Sequence, residues 1–294
     1  MAGDIEQWIA ETDNQGQNDF RRVVHIILNA ISSHHEFQPE MIMKGGILMA
    51  IAYHSGRFTK DIDFSTPKHY YEFQKGQAVF IENLNSAIKL GAEETNYGIA
   101  CSIQSSEIRP GPTGNYQTLH LSIGYSYKSD TNSMRRLSAG QATKIVKLDY
   151  SFNETVGDFG IVDAGGTEGL QTYGKLTLIA EKYRALLQQA SVTGGRARGS
   201  DRGQDVYDIY TLLTKYPITD DQKIHLLQIM VDKAKSRELV IDRSSILDPT
   251  VASRAKNRYE NLVDEIDGEL LNFDAAFNEL IQFYVSLPWD QVRR

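Results

Sequence analysis

Residues 44–64 read KGGILMAIAYHSGRFTKDIDF, and this stretch decides the fold class. The short apolar run Glu40 to Lys44 leads into it as a buried strand, ended by Gly45-Gly46. Residues 47–54 (ILMAIAYH) are expected to form a helix, Ser55-Gly56-Arg57 to break it, and Asp61 to Phe64 to form a second strand. Alternation along that strand puts Asp61 and Asp63 on one face and sends Ile62 and Phe64 to the core. Glycines carry no Cβ, so their backbone can approach a phosphate and present N–H donors. The helix that follows points its positive end at the same place. Two carboxylates side by side repel as bare anions, and a divalent cation resolves that. Mg²⁺ prefers hard oxygen ligands shared with substrate phosphates, and two such ions can clamp the attacking and leaving oxygens of a phosphoryl displacement.

Working outward, residues 17–33 and 75–91 read as helices. Residues 98–108, 116–128 and 143–152 alternate and are expected to be strands. In the last of these, Ile145, Lys147, Asp149 and Ser151 share one face, opposite Val146, Leu148, Tyr150 and Phe152. After about residue 165 the texture turns helical, with helices expected near 175–190, 204–214, 219–235, 250–267 and 272–286. The expected architecture is α+β. A mixed sheet with flanking helices occupies residues 1–165, and an all-α domain follows over 166–294.

KGGILMAIAYHSGRFTKDIDF resembles the first motifs of the AbiEii/AbiGii toxin family of nucleotidyltransferases, within the DNA polymerase β-like superfamily. KLDYSFNE (147–154), EKYRALLQQ (181–189) and RGQDVYDIYTLL (202–213) are similar to the family's later blocks, in the same order. The resemblance implies a polymerase β-like core, Mg²⁺ (or Mn²⁺) as cofactor and an NTP as substrate. It implies Asp61 and Asp63 as the metal-binding pair, with Lys182 on the triphosphate and Asp205, or else Asp208, as a late essential aspartate. Asp61, Asp63, Asp149, Lys182 and Asp205 are thus the expected catalytic set, and Asp61, Asp63 and Asp149 the expected metal ligands. Lys44, Gly45, Gly46, Arg57, Thr59, Arg202 and Asp208 are the expected nucleotide-binding set. The implied acceptor is RNA, the 3′ end of tRNA, in a toxin–antitoxin or phage-defence pair whose antitoxin is encoded nearby.

Read without the resemblance, several of these residues keep a second meaning. Asp149 is a third carboxylate for the metal pair or the acceptor of a buried lysine. Lys182 borders an apolar stripe, as a snorkelling surface lysine does. Asp205 and Asp208, three apart, share a helix face and could simply complement its dipole. Arg196, Arg198 and Arg202, in the glycine-rich stretch Gly194 to Gly203, could grip an RNA backbone or sit on a surface loop. Tyr116, Tyr125 and Tyr127 could stack on bases or pack as core and rim. The histidines, His120 among them, lack metal-ligand spacing and read as structural or surface.

A net charge of −7 argues against coating nucleic acid through bulk charge, but leaves room for a local basic path. The acidic, polar opening residues carry no basic-then-apolar leader, and no apolar run reaches membrane-span length. The single cysteine, Cys101, fits a reducing compartment, so a cytoplasmic protein without membrane contact is expected. Two other functions fit the same residues. One is a nucleotidyltransferase acting on a protein or small molecule, and the other is a catalytically silent nucleotide-binding regulatory module.

Overall fold

The computed structural model describes residues 5–111, 114–166, 169–190, 192–193, 196–197 and 201–292. In chain order the elements are α1 (Ile5–Ala10), α2 (Gln15–Ser32), β1 (Ile42–Lys44), α3 (Gly45–Tyr53), β2 (Asp61–Ser65), α4 (Tyr70–Phe73), α5 (Gln77–Glu94), β3 (Ile99–Arg109), β4 (Thr118–Tyr127), α6 (Thr131–Ser138) and β5 (Lys144–Ser151). There follow β6 (Phe159–Val162), β7 (Leu170–Tyr173), α7 (Lys175–Leu187), β8 (Val192–Thr193), β9 (Arg196–Ala197), α8 (Gly203–Lys215), α9 (Asp220–Ser236), α10 (Pro249–Tyr259) and α11 (Phe273–Val285). Among the described residues, no helix is long and apolar enough to cross a membrane.

The chain divides into two compact units. The first comprises Met1–His54, Thr59–Glu154 and Gly160–Thr172, and the second Ser55–Phe58, Thr155–Phe159 and Tyr173–Arg294. The first is built on a mixed sheet of order β3-β4-β5-β2-β1-β7-β6. β2 runs parallel to β5 and antiparallel to β1, while β4 is antiparallel to both β3 and β5. Alternation sorts the sheet's faces as expected. Met43, Ile62, Phe64, Leu119, Leu121, Val146, Leu148 and Tyr150 are buried, with α2 against β5 and α5 against β3. Cys101 is buried on β3, and burial pushes its thiol up to about 12.

Apart from the short β8–β9 pair, the described residues of the second unit are mostly helical from Lys175 onward, with α7 packed against α8 and α9, and α8 against α10 and α11. Local chemistry sets its boundaries. A Thr219/Gln222 capping box starts α9, and Asp248 with Pro249 starts α10. The expected helix over 250–267 stops at Tyr259, passes through a 3-10 turn to Asp264, and gives way to a turn and an isolated bridge between Ile266 and Arg57. That backbone is claimed by another segment. Phe58 N–H donates to the Glu265 carbonyl (2.6 Å), and Asp267 N–H donates to the Gly56 carbonyl (2.9 Å).

Among the described residues, three short helices (α1, α4, α6) and four short strands (β6 to β9) carry too little periodicity to be expected from sequence. One of these helices, α6, buries only Leu137. It is started by Asp130, whose carboxylate accepts from the Asn132 and Ser133 N–H groups.

Candidate active site

The expected site residues fall into two groups, one in each unit. In the first unit, strand register lines up Lys44, Asp63, Asp149, His120 and Glu107 as successive neighbours across five strands. Asp61, Lys147 and Ser122 form the adjacent row on the same face. This polar face is the reverse of the one that carries the core. Neighbouring strands lie about 4.8 Å apart and successive same-face residues about 6.6 Å, so the three acids occupy one small patch. Asp61 is exposed, and Asp63 and Asp149 are partly covered.

The two glycines bring α3 onto this patch. The helix begins at Gly45 itself, two residues earlier than its apolar pattern, with Lys44 in the capping position. Gly45 has φ +77°, and a Cβ there would lie 2.0 Å from Asp63 Oδ2. A Cβ on Gly46 would lie 2.8 Å from Thr59 Cγ2 and 3.0 Å from its Oγ1. The space that the missing side chains leave is therefore used by Asp63 and Thr59, which sit against the first turn of α3. Lys44 Nζ lies 3.4 Å from the buried Glu154. Gly45→Ala should combine a left-handed backbone strain of about 1–3 kcal/mol with displacement of Asp63. We expect a lower thermal midpoint and at least a roughly tenfold loss of activity, read by melting and steady-state kinetics. A variant that melts and turns over like wild type would contradict this packing.

Three carboxylates are hard oxygen donors, the chemistry that Mg²⁺ takes, and the cradle at Gly45 holds one of them at a helix start. Among the described residues, no three His, Cys, Asp or Glu side chains are already gathered as a metal cage. A Mg²⁺ shared with substrate phosphates needs only one or two protein carboxylates, so the donor set fits such an ion.

In the second unit the charged residues meet in the interior. Arg57 forks onto Asp208, with Nε 3.2 Å from Oδ1 and Nη2 3.0 Å from Oδ2. Lys182 Nζ lies 2.5 Å from Asp208 Oδ2 and 3.1 Å from Asp205 Oδ1. All four are buried, Asp208 completely. The surface reading of Lys182 is thus corrected: α7 turns it inward, where the two aspartates one turn apart on α8 receive it. Burial alone would push the Asp208 carboxyl up, but Arg57 and Lys182 more than offset this and hold it at about 2. Burial pulls the Lys182 ammonium down, and Asp208 and Asp205 more than restore it, leaving it above its usual value. Arg202 Nη1 lies 4.0 Å from Asp205 Oδ2, a buried oxygen with no hydrogen bond of its own.

The remaining expectations resolve as follows. Gly194 and Arg198 lie outside the described residues, as does the side chain of Arg196. Tyr127 donates to Asp19 (2.6 Å), and Lys144 sits over the rings of Tyr125 and Tyr127 (5.7 and 5.9 Å), so both tyrosines are tied into the fold. Asp149 accepts from His120, not from a lysine, with Nδ1 to Oδ1 at 2.7 Å. His120, which sequence alone reads as structural or surface, lies beside Asp149. The signal for this was its place on the polar side of an alternating strand, in phase with Thr118 and Ser122.

No curated protein sequence matches the chain. Among solved structures, a candidate nucleotidyltransferase from H. pylori superposes with a TM-score of 0.50 at 14% identity, covering 96% of this chain and 99% of that one. JHP933 from Helicobacter pylori gives a TM-score of 0.47 at 13% identity, covering 93% and 92%. The former supports the fold read here. The family model "Nucleotidyl transferase AbiEii toxin, Type IV TA system" matches residues 26–279, nearly the whole chain. The chain therefore belongs to the AbiEii toxin family of type IV toxin–antitoxin systems and is a nucleotidyltransferase.

Proposed function

We propose that this toxin-type nucleotidyltransferase moves an NMP from a Mg²⁺-bound NTP to an RNA acceptor, the 3′ end of tRNA. The observation that carries this reading is the patch of Asp61, Asp63 and Asp149 on the polar sheet face, with Asp63 and Thr59 lodged against Gly45 and Gly46. In the reaction, an acceptor hydroxyl attacks the α-phosphorus, the bond to the bridging oxygen breaks, and pyrophosphate leaves. Asp61 and Asp63 would hold the ion, which when bound neutralises charge on the phosphates. The Thr59 hydroxyl and the N–H groups at the start of α3 orient phosphate oxygens, and Asp149 takes the proton of the attacking hydroxyl. Positioning and charge neutralisation are most of what this chemistry requires.

The resemblance also gives Lys182 to the triphosphate. Its ammonium already has two aspartate partners, so that contact would exchange one carboxylate oxygen for a phosphate oxygen. Asp205 and Arg202 belong to the same reading, with Asp208 and Arg57 holding Lys182 in place. A type IV toxin implies an antitoxin partner, and we place its gene beside this one, in a pair that serves phage defence.

The test is incubation with total RNA and bacterial protein, Mg²⁺ and each α-labelled NTP in turn. Label should appear on RNA of tRNA size and be lost with chelator or with Asp61→Ala. Label on protein or on a small molecule would contradict the RNA acceptor and favour the alternative transferase.

A further inference from the structure

Asp149 has a charged neighbour on one side and a donor on the other. Across the parallel pair it faces Asp63, and across the antiparallel pair it faces His120. β2 and β4 flank β5 on opposite sides, so the 2.7 Å bond from His120 reaches Asp149 from the side away from Asp63. An ionised carboxylate can only accept, so Nδ1 carries the proton and the imidazole donates. Both side chains keep about a third of their exposure, at 35% for His120 and 30% for Asp149. This bond is therefore not a requirement of the hydrophobic core. The next residue along the row, Glu107, is engaged by Arg109 at 2.6 Å. An aspartate about 4.8 Å from a like charge on the next strand has two rotatable bonds with which to swing away. A donor that binds one oxygen fixes both torsions and leaves Oδ2 for the reacting groups.

We propose that His120 is a positioning residue for nucleotidyl transfer, holding the Asp149 carboxylate in register with Asp61 and Asp63. This rests on the reading that those acids form the active site. Partners that orient the ligands and bases of a site are worth about 10–100-fold in activity. His120→Ala should lower kcat about 10–30-fold while the KM for NTP stays within about threefold and the thermal midpoint is unchanged. His120→Asn places an amide N–H close to the Nδ1 position and should restore kcat to within about threefold of wild type. The double variant with Asp149→Ala should be no slower than Asp149→Ala alone, because the histidine acts only through that carboxylate.

A folded His120→Ala with wild-type kcat would overturn the proposal. So would a His120→Asn as slow as the alanine variant, or losses that multiply in the double variant. A purely structural histidine would instead shift melting and leave kcat of the folded enzyme unmoved. The two levels separate cleanly. Transfer that survives Asp63→Asn would defeat the site itself, whereas an inactive Asp63→Asn beside a fully active His120→Ala would defeat only the role of His120.

Discussion

Asp61→Ala and Asp63→Asn should each reduce nucleotidyl transfer by at least about 10²-fold, the scale of losing one preorganised electrostatic contact at a reacting phosphoryl group. Neither should unfold the protein. Asp61 is exposed, and exposed substitutions away from special features stay within about 0.5 kcal/mol. Asp63→Asn keeps the shape lodged against Gly45 and removes only a charge that stands between Lys44 and the like charge of Asp149. The activity loss should therefore come without a matching loss of melting temperature. A variant that is inactive only because it is unfolded would not support the assignment, so melting curves belong beside the rate measurements. Wild-type turnover in either folded variant would contradict it.

Asp208→Ala should have the largest effect on stability. Among the described residues it leaves the buried Arg57 guanidinium with the charges of Asp205 and Glu265 (3.8 Å) but without its bidentate partner, and Lys182 with Asp205. Breaking a buried ion pair from one side costs about 3–5 kcal/mol, because the orphaned charge stays desolvated. For a domain of this size that is a fall in Tm of roughly 10 °C or more. The same group sets an acid limit. Its folded pKa, about 2, lies well below the ordinary aspartate range. Its contribution is fully present above the unfolded pKa, and it is lost as pH falls through about 4 toward about 2. Wild-type melting should drop across that window, and Asp208→Ala should lack this component of the drop. A variant within 2–3 °C of wild type at neutral pH, well below the expected ~10 °C shift, would show that the cluster is not holding the second unit together.

How far the sequence reached depended on whether a residue's partner was close in the chain. The Gly45-Gly46 to Asp63 segment is local, and alternation alone put its two acids on one face and Ile62 and Phe64 in the core. Alternation also sorted Asp149 from Tyr150. What it could not supply was register between strands far apart in sequence. Opposing Asp149 to Asp63 on one side and to His120 on the other needs β2, β4 and β5 aligned, and no local pattern states that alignment.

The same limit explains Lys182. A lysine beside an apolar stripe reads as a surface residue unless Asp205 and Asp208 are known to receive it. It also explains the end of the helix expected over 250–267. The helix does not continue past Asp264, and the backbone of Glu265 and Asp267 bonds instead to Phe58 and Gly56, some two hundred positions earlier. Short elements such as β6 and α6 fail for another reason, since four to eight residues with one or two buried side chains show no period.

The most direct measurement is anomalous scattering from crystals grown with Mn²⁺ and an α,β-methylene NTP, taken with each base in turn. A manganese peak about 2.1 Å from carboxylate oxygens of both Asp61 and Asp63, and bonded also to a phosphate oxygen, is the predicted result. Nucleotide bound with its metal elsewhere, and those two side chains bare, would contradict it.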